Sequence, residues 1–229
     1  MRLKLRLYAS LRERAGRDEL VLELPGDSIA STRLRAEVER LHPELGSLEH
    51  VALVVGTEYV RGERVLVEHD AVALLPPVSG GEAGGAVDEP GLFALVQGPL
   101  VPEEWTRLVE HPACGAVCAF VGRTRETNRG LRVVRLEYES FEAMTGPEMA
   151  RIYARARAEL SQADLRMVVA HKVGVVEVGA PSVVVAVASP HRDAAFRACR
   201  FLIDELKSSL PIWKKEVYAD GHHWIGDRS

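Results

Sequence analysis

Residues 82–89, EAGGAVDE, interrupt an otherwise strongly patterned chain with small and acidic side chains that carry no apolar period. Such a run suits a flexible connector, and no hydrophobic core continues through it. The 229 residues are therefore expected to fold as two domains, 1–81 and 90–229, joined by the linker 82–89. A hydrophobic content of 47% is ample for two cores.

Ahead of the linker, residues 2–8 alternate strictly, and the alternation resumes at Leu20, Leu22 and Leu24 after the turn-like Gly16, Arg17 and Asp18, which predicts a hairpin. Asp27 or Ser28 then offers a helix cap. Ile29, Leu34, Val38 and Leu41 fall at helical spacing until Pro43 ends the run. Residues 52–55 and 71–75 are short Val- and Leu-rich strands. Strand, strand, helix, strand, strand is an α+β layer compatible with a ubiquitin-like β-grasp, although the pattern alone does not select that topology.

Beyond the linker, residues 115–121, 133–138, 167–173 and 182–188 read as strands, the last apolar enough to be buried on both faces. Two helices interrupt them. One is expected to start at Thr145, Gly146 and Pro147, with proline in its first turn and Met149, Ile152, Tyr153, Ala156 and Leu160 on its stripe. The other carries Phe196, Cys199, Ile203, Leu206 and Leu210, and Pro211 closes it.

The formal net charge of -4, spread along the sequence, gives no sign of a nucleic-acid partner recognised by bulk charge. No apolar stretch is long enough to span a bilayer, and the first residues lack a signal-peptide pattern, so a cytoplasmic protein is expected. Cys114, Cys118 and Cys199 form neither a disulfide framework nor a zinc motif and are read as buried free thiols; no metal site is expected.

The first domain closes on LLPPVSGG, where Gly80 and Gly81 leave a tail without side chains that can thread a narrow channel. By itself a Gly pair is as readily the start of a linker. With LYASLRERAG at 7–16, HPEL at 42–45, EYV at 58–60 and VALLPPVSGG at 72–81, however, this domain resembles MoaD, the small sulfur-carrier subunit of molybdopterin synthase. The resemblance implies a thiocarboxylate on the terminal glycine of the tail, here Gly81. Gly81 is joined to Glu82 by a peptide bond, which a free carboxyl group cannot be. Cleavage after Gly81 by a processing protease, followed by an adenylating and sulfurating enzyme, is the expected route. An uncut inactive form is the alternative.

In the second domain, positive charge collects beside turns. Arg123, Thr124 and Arg125 follow a strand. His191 and Arg192 follow Ser189 and Pro190, which suit the cap and first turn of the second helix, so both stand near amides and a positive dipole end. Lys207 falls in the last turns of that helix, and Lys214, Lys215 and Glu216 come after Pro211. Taken singly, each cluster is also explained as loop charge, helix C-terminal charge or an exposed alternating strand.

FVGRTRETNRG at 120–130, LEYESFEAMT at 136–145, HKVGVVEVGAPSVVVAVASPHRDAAF at 171–196 and DELKSSLPIWKKE at 204–216 together resemble MoaE, the large catalytic subunit. That resemblance implies an α/β hammerhead fold, a homodimer through this domain, and cyclic pyranopterin monophosphate as substrate, with two carriers supplying two sulfurs. It makes Lys207 and Lys214 the catalytic residues. Arg123, Thr124, Arg125, His191, Arg192, Lys215 and Glu216 become substrate-binding, with His191 and Arg192 facing the other protomer's pocket.

The residue types suit such a substrate, since Arg orients phosphate and pterin acceptors and His moves protons near neutral pH. Several cations in one pocket disfavour a further charge, which makes Lys207 a candidate base or transient nucleophile. The family's C-terminal basic residues have one counterpart in reach, Arg228. No cofactor is implied, and molybdenum is not expected to bind, because its dithiolene ligand is the product. The competing readings are a carrier or ubiquitin-like modifier whose second domain only docks the tail, and an unprocessed regulatory precursor.

Overall fold

The leucine alternation at the N-terminus is realised as β1 (Arg2–Leu7), which buries Leu3, Leu5 and Leu7 and turns Arg2, Lys4 and Arg6 outward. The computed structural model describes residues 1–76, 91–161 and 164–224, and the chain divides into two compact units, Met1–Pro77 and Val78–Ser229. Gly80, Gly81, the linker 82–89 and Arg228 lie outside the described residues. None of the described helices is long and apolar enough to cross a membrane.

β1 and β2 (Glu19–Glu23) pair antiparallel, but the helix α1 (Ala9–Ala15) joins them where a tight hairpin was expected. Residues 9–15 are good helix formers, and Gly16, at φ 64°, is the left-handed residue that ends α1 rather than the centre of a turn. β3 (Ser28–Ala30) follows, so Ser28 is spent in a strand and does not cap. Ala30 is the N-cap of α2 (Ser31–Leu41), which buries Leu34 and Val38 and leaves Leu41 exposed. A 3-10 turn at Pro43–Leu45 leads to β4 (Ala52–Val55), β5 (Glu58–Tyr59), β6 (Val65–Val67) and β7 (Val72–Leu75).

The principal sheet runs β2-β1-β7-β4-β5, with β1 and β7 parallel at its centre and the other pairs antiparallel. The longer helix α2 over such a mixed sheet, with the short α1 between its first two strands, is a β-grasp arrangement. Leu5, Leu22, Leu34, Leu53 and Leu74 form its core, and β7 delivers the chain toward the Gly-Gly tail.

The second unit opens with β8 (Leu92–Val96), the short helix α3 (Pro102–Arg107), β9 (Ala116–Arg123), β10 (Thr127–Asn128) and β11 (Leu131–Ser140). Then come α4 (Glu142–Glu159), β12 (Arg166–Lys172), β13 (Gly174–Glu177), β14 (Pro181–Ser189), α5 (Arg192–Ser209), β15 (Ile212–Tyr218) and β16 (Gly221–Trp224). One sheet is ordered β8-β12-β14-β9 and the other β10-β11-β15-β16, with β13 on β11. The run at β14 is buried on both faces, as its apolar character requires, because α4 and α5 cover one side and α3 the other.

Two helix starts differ from the sequence expectation. α4 begins at Glu142, so Pro147 lies inside it; buried Phe141 anchors the start through its N–H to the Pro211 carbonyl at 3.0 Å. Gly146 and Pro147 sit on the exposed face, where water can serve the carbonyl that proline leaves without a donor. α5 begins at Arg192 with His191 as N-cap, because Ser189 still pairs with Ala116 in the sheet and is fully buried. Of the three free cysteines, Cys199 is buried, whereas Cys114 and Cys118 are half-buried.

His171 on β12 is buried edge-on to Tyr138, with ring centroids 4.9 Å apart, and its Nδ1 lies 2.8 Å from the Lys172 carbonyl. Burial pushes its pKa down from 6.5 to about 4. The unfolded chain therefore binds a proton at this residue between those values that the folded chain refuses. Its contribution to stability is complete above pH 6.5 and is lost as pH falls toward 4, by about 1.4 kcal/mol per unit. Urea midpoints of the His171→Phe variant should fall less steeply over this range than those of the unaltered chain; equal slopes would mean that His171 is not the titrating group.

Candidate active site

Alternation along β15 sends Lys214, Glu216 and Tyr218 to one face and Lys215 to the other. β11 lies on one side of this strand and β16 on the other, so the stretch is largely buried and is not the exposed strand that charge alone allowed. Lys214 Nζ meets Glu216 Oε1 at 2.8 Å. Asn128, on the short strand β10, donates through Nδ2 to Glu216 Oε2 at 2.9 Å, and its Oδ1 accepts from Arg125 Nη2 at 3.2 Å. The Tyr218 hydroxyl also donates to Glu216 Oε2. Arg125, Asn128, Glu216 and Lys214 are thus one connected chain.

Glu216 is only 3% exposed. Burial works against its charge, but hydrogen bonds from Lys214, Tyr218 and Asn128 outweigh it and hold the carboxyl below its ordinary pKa. Burial, and then the neighbouring carboxylate, push the Tyr218 phenol up. An ionised Glu216 fixes the direction in which the half-buried Lys214 ammonium points.

At the end of β9 the backbone locks the next part. Arg123 donates to the Gly179 carbonyl at 2.9 Å, Thr124 N–H to Ala180 O at 3.1 Å, and Gly179 N–H to Thr124 O at 2.8 Å. Thr124 is 3% exposed, and its Oγ1 has no hydrogen-bond partner among the described residues. A buried hydroxyl without a partner is costly unless a ligand or water completes it. Arg123 and Arg125 on either side are exposed.

α5 joins β14 through a short turn and packs back over β14 and β9, with Cys199 Sγ 3.8 Å from Val185 O midway. Lys207, exposed on an otherwise largely buried last turn, therefore lies at the end of the layer where β9 finishes. His191 and Arg192 lie at the other end, exposed at the helix start. Sixteen residues of helical rise separate His191 from Lys207, about 24 Å. A single chain therefore gathers Arg123, Thr124, Arg125, Lys207, Lys214 and Glu216 toward one end and leaves His191 and Arg192 apart.

Asn128 and Tyr218 complete the carboxylate network and were not picked out from the sequence. Tyr218 was findable, since it continues the period of two from Lys214 and Glu216. Asn128 was not, because only the fold brings β10 against β15. Among the described residues no group of three or more His, Cys, Asp or Glu side chains is placed to hold a metal ion.

The family profile described as MoaE protein matches residues 95–209, and that of the ThiS family matches residues 5–81. The molybdopterin synthase catalytic subunit of Bacillus subtilis is 40% identical over 136 residues, which is 59% of this chain and 85% of that protein. That of Oryza sativa subsp. indica is 42% identical over 149 residues, 64% of this chain and 76% of that protein. Among solved structures, molybdopterin synthase from Staphylococcus aureus superposes with a TM-score of 0.55 at 32% identity, over 58% of this chain and 96% of that one. A MoaE protein from Burkholderia ambifaria gives 0.52 at 28% identity, over 61% and 91%.

Proposed function

This chain belongs to the MoaE protein family and carries a ThiS-family, ubiquitin-like domain ahead of the MoaE domain, and from that premise we propose that it acts as a molybdopterin synthase bearing its own sulfur carrier. Its role lies in molybdenum cofactor biosynthesis. The carrier is 1–81, the connector 82–89 and the catalytic domain 90–229. A thiocarboxylate on Gly81 gives its sulfur to cyclic pyranopterin monophosphate to form the molybdopterin dithiolene. Cleavage after Gly81 precedes loading by an adenylating and sulfurating enzyme.

The observation that carries this reading is the connected Arg125, Asn128, Glu216, Lys214 chain beside the orphaned Thr124 hydroxyl. Two exposed guanidinium groups and a buried donor without a partner suit a phosphate that accepts several hydrogen bonds at once. Lys214, aimed by Glu216, steadies the carboxyl end of the carrier tail. Lys207 handles protons as the thiocarboxylate sulfur bonds to a side-chain carbon of the pterin and displaces an oxygen from it, and as water attacks the Gly81 acyl carbon and breaks its bond to sulfur, leaving a carboxylate on the carrier and sulfur on the pterin. His191 and Arg192, about 24 Å along α5 from Lys207, serve the second protomer's pocket in a homodimer. Lys215 and Arg123 add positive potential at the rim.

Protein loaded with sulfur at Gly81 should convert cyclic pyranopterin monophosphate to a dithiolene without an added sulfur source, read by fluorescence of the oxidised pterin. Tail loading with no pterin product would favour the carrier reading, in which the second domain only docks the tail.

A further inference from the structure

The two arms of the site belong to different sheets. Arg123, Thr124 and Arg125 stand at the end of β9, in the sheet β8-β12-β14-β9, whereas Lys214 and Glu216 stand on β15, in the sheet β10-β11-β15-β16. The backbone crosses from one sheet to the other at residues 124–126, and the bonds from Arg125 to Asn128 and from Asn128 to Glu216 join the arms there. A second joint lies in the interior, and Tyr138 makes it.

Tyr138 lies on β11, with Gly174 of β13 opposite it on one side and Lys214 of β15 opposite it on the other. Directly opposed residues share a face of a sheet, and Gly174 has no side chain, so Lys214 is the neighbour of Tyr138 in that row. The tyrosine reaches across to the other sheet. Its ring meets His171 of β12 edge-on, with centroids 4.9 Å apart, and its hydroxyl is hydrogen-bonded to Ser182 of β14. A bulge places Ser182 for this: Pro181 pairs with Arg123 and Val183 with Gly122, so Ser182 is the extra residue of its strand, and a bulge re-aims the side chain it carries. Ser182 is buried, and its Oγ lies 3.3 Å from the Gly122 carbonyl. A carbonyl only accepts, so the serine proton goes to Gly122 and the Tyr138 hydroxyl donates to Ser182. Burial above all pushes the Tyr138 phenol up from its ordinary pKa, so it keeps the proton that it donates.

We infer that Tyr138 is a positioning residue: through Ser182 and the Gly122 carbonyl it fixes the end of β9, and with it Arg123 and Thr124, at a set distance from its neighbour Lys214. That this spacing matters to turnover rests on the function proposed above; the joint itself does not. In that function the phosphate is held at the β9 arm and the carrier tail at Lys214, so the gap between the arms is the gap that sulfur must cross. A misplacement of about 1 Å between reacting groups can cost about 10²-fold in rate. Phenylalanine at position 138 would fill the same space and keep the edge-on contact with His171, but it would leave the joint open.

The test compares Tyr138→Phe, Ser182→Ala and the double variant in sulfur-loaded protein with both domains present. Each single change should lower the single-turnover rate at saturating cyclic pyranopterin monophosphate by about 10–100-fold. The half-saturating concentration should not move, since the phosphate arm itself is intact. The double variant should be no slower than the slower single one, because both changes open the same joint. Hydrogen exchange of the Thr124 amide, which is bonded to the Ala180 carbonyl, should quicken in Tyr138→Phe while that of Val185, in the middle of β14, holds. A tyrosine that only fills space predicts a lower melting temperature with Thr124 exchange and turnover unchanged. Unchanged exchange, an unchanged rate from an active parent chain, or losses that multiply in the double variant would each overturn the inference. If Thr124 exchange quickens but the loaded parent chain forms no product, the joint stands and the function proposed above falls.

Discussion

Lys207→Ala should lower turnover of cyclic pyranopterin monophosphate by about 10²–10⁴-fold, the range contributed by a positioned proton-transfer group. Thermal stability should hardly move. The competing account, in which Lys207 is merely favourable charge in the last turn of α5, predicts the reverse: a loss of about 0.3–1 kcal/mol of stability and unchanged turnover. Lys207→Arg separates charge from chemistry. Arginine keeps the cation at the helix end but does not give up its proton, so it should be nearly as inactive as alanine. Single-turnover rates with sulfur-loaded protein make the comparison, since they exclude reloading of the tail. Unchanged rates for both variants would remove Lys207 from the chemistry.

Glu82→Pro, which protects the Gly81–Glu82 bond from most proteases, should abolish product altogether in cells that rely on this chain. The reason is elementary: an adenylate forms on a carboxylate, and Gly81 within a peptide bond has none. Adding a separate carrier of residues 1–81 should restore product, because Lys207, Lys214 and the Arg125 network are untouched by the substitution. Length alone also argues for a released carrier. The eight-residue linker reaches at most about 29 Å when fully extended, which restricts how an uncut tail can reach a pocket. Product formed by the uncleaved Glu82→Pro chain would overturn the requirement for processing.

How much of this was legible in the sequence depended on whether a signal was local. The alternation at β1 and the apolar run at β14 announced themselves, because burial on one face or two writes its own period. The α1 helix was missed since Gly16, Arg17 and Asp18 look the same as a hairpin turn and as the end of a short helix. Pro147 misled for a related reason, being tolerated inside α4 on a solvent-facing turn. At the site, the clusters themselves were visible as charge beside turns. Their division into two groups was not, because it depends on α5 running back along β14 and β9 and carrying its two ends apart. For Glu216 the residues alone allowed exposed-strand charge and the resemblance implied substrate binding; its burial, and its ionised state among Lys214, Asn128 and Tyr218, became visible only with the strands on either side of β15.

Under the proposed function, one gene product supplies both the sulfur donor and the catalyst. Intact mass spectrometry of the protein from its native cells, before and after addition of cyclic pyranopterin monophosphate, tests it most directly. Two fragments divided after Gly81 are expected, the first heavier by the replacement of one oxygen with sulfur, with loss of that excess when the pterin is added. A single uncut chain, or a first fragment whose mass does not change with substrate, would contradict it.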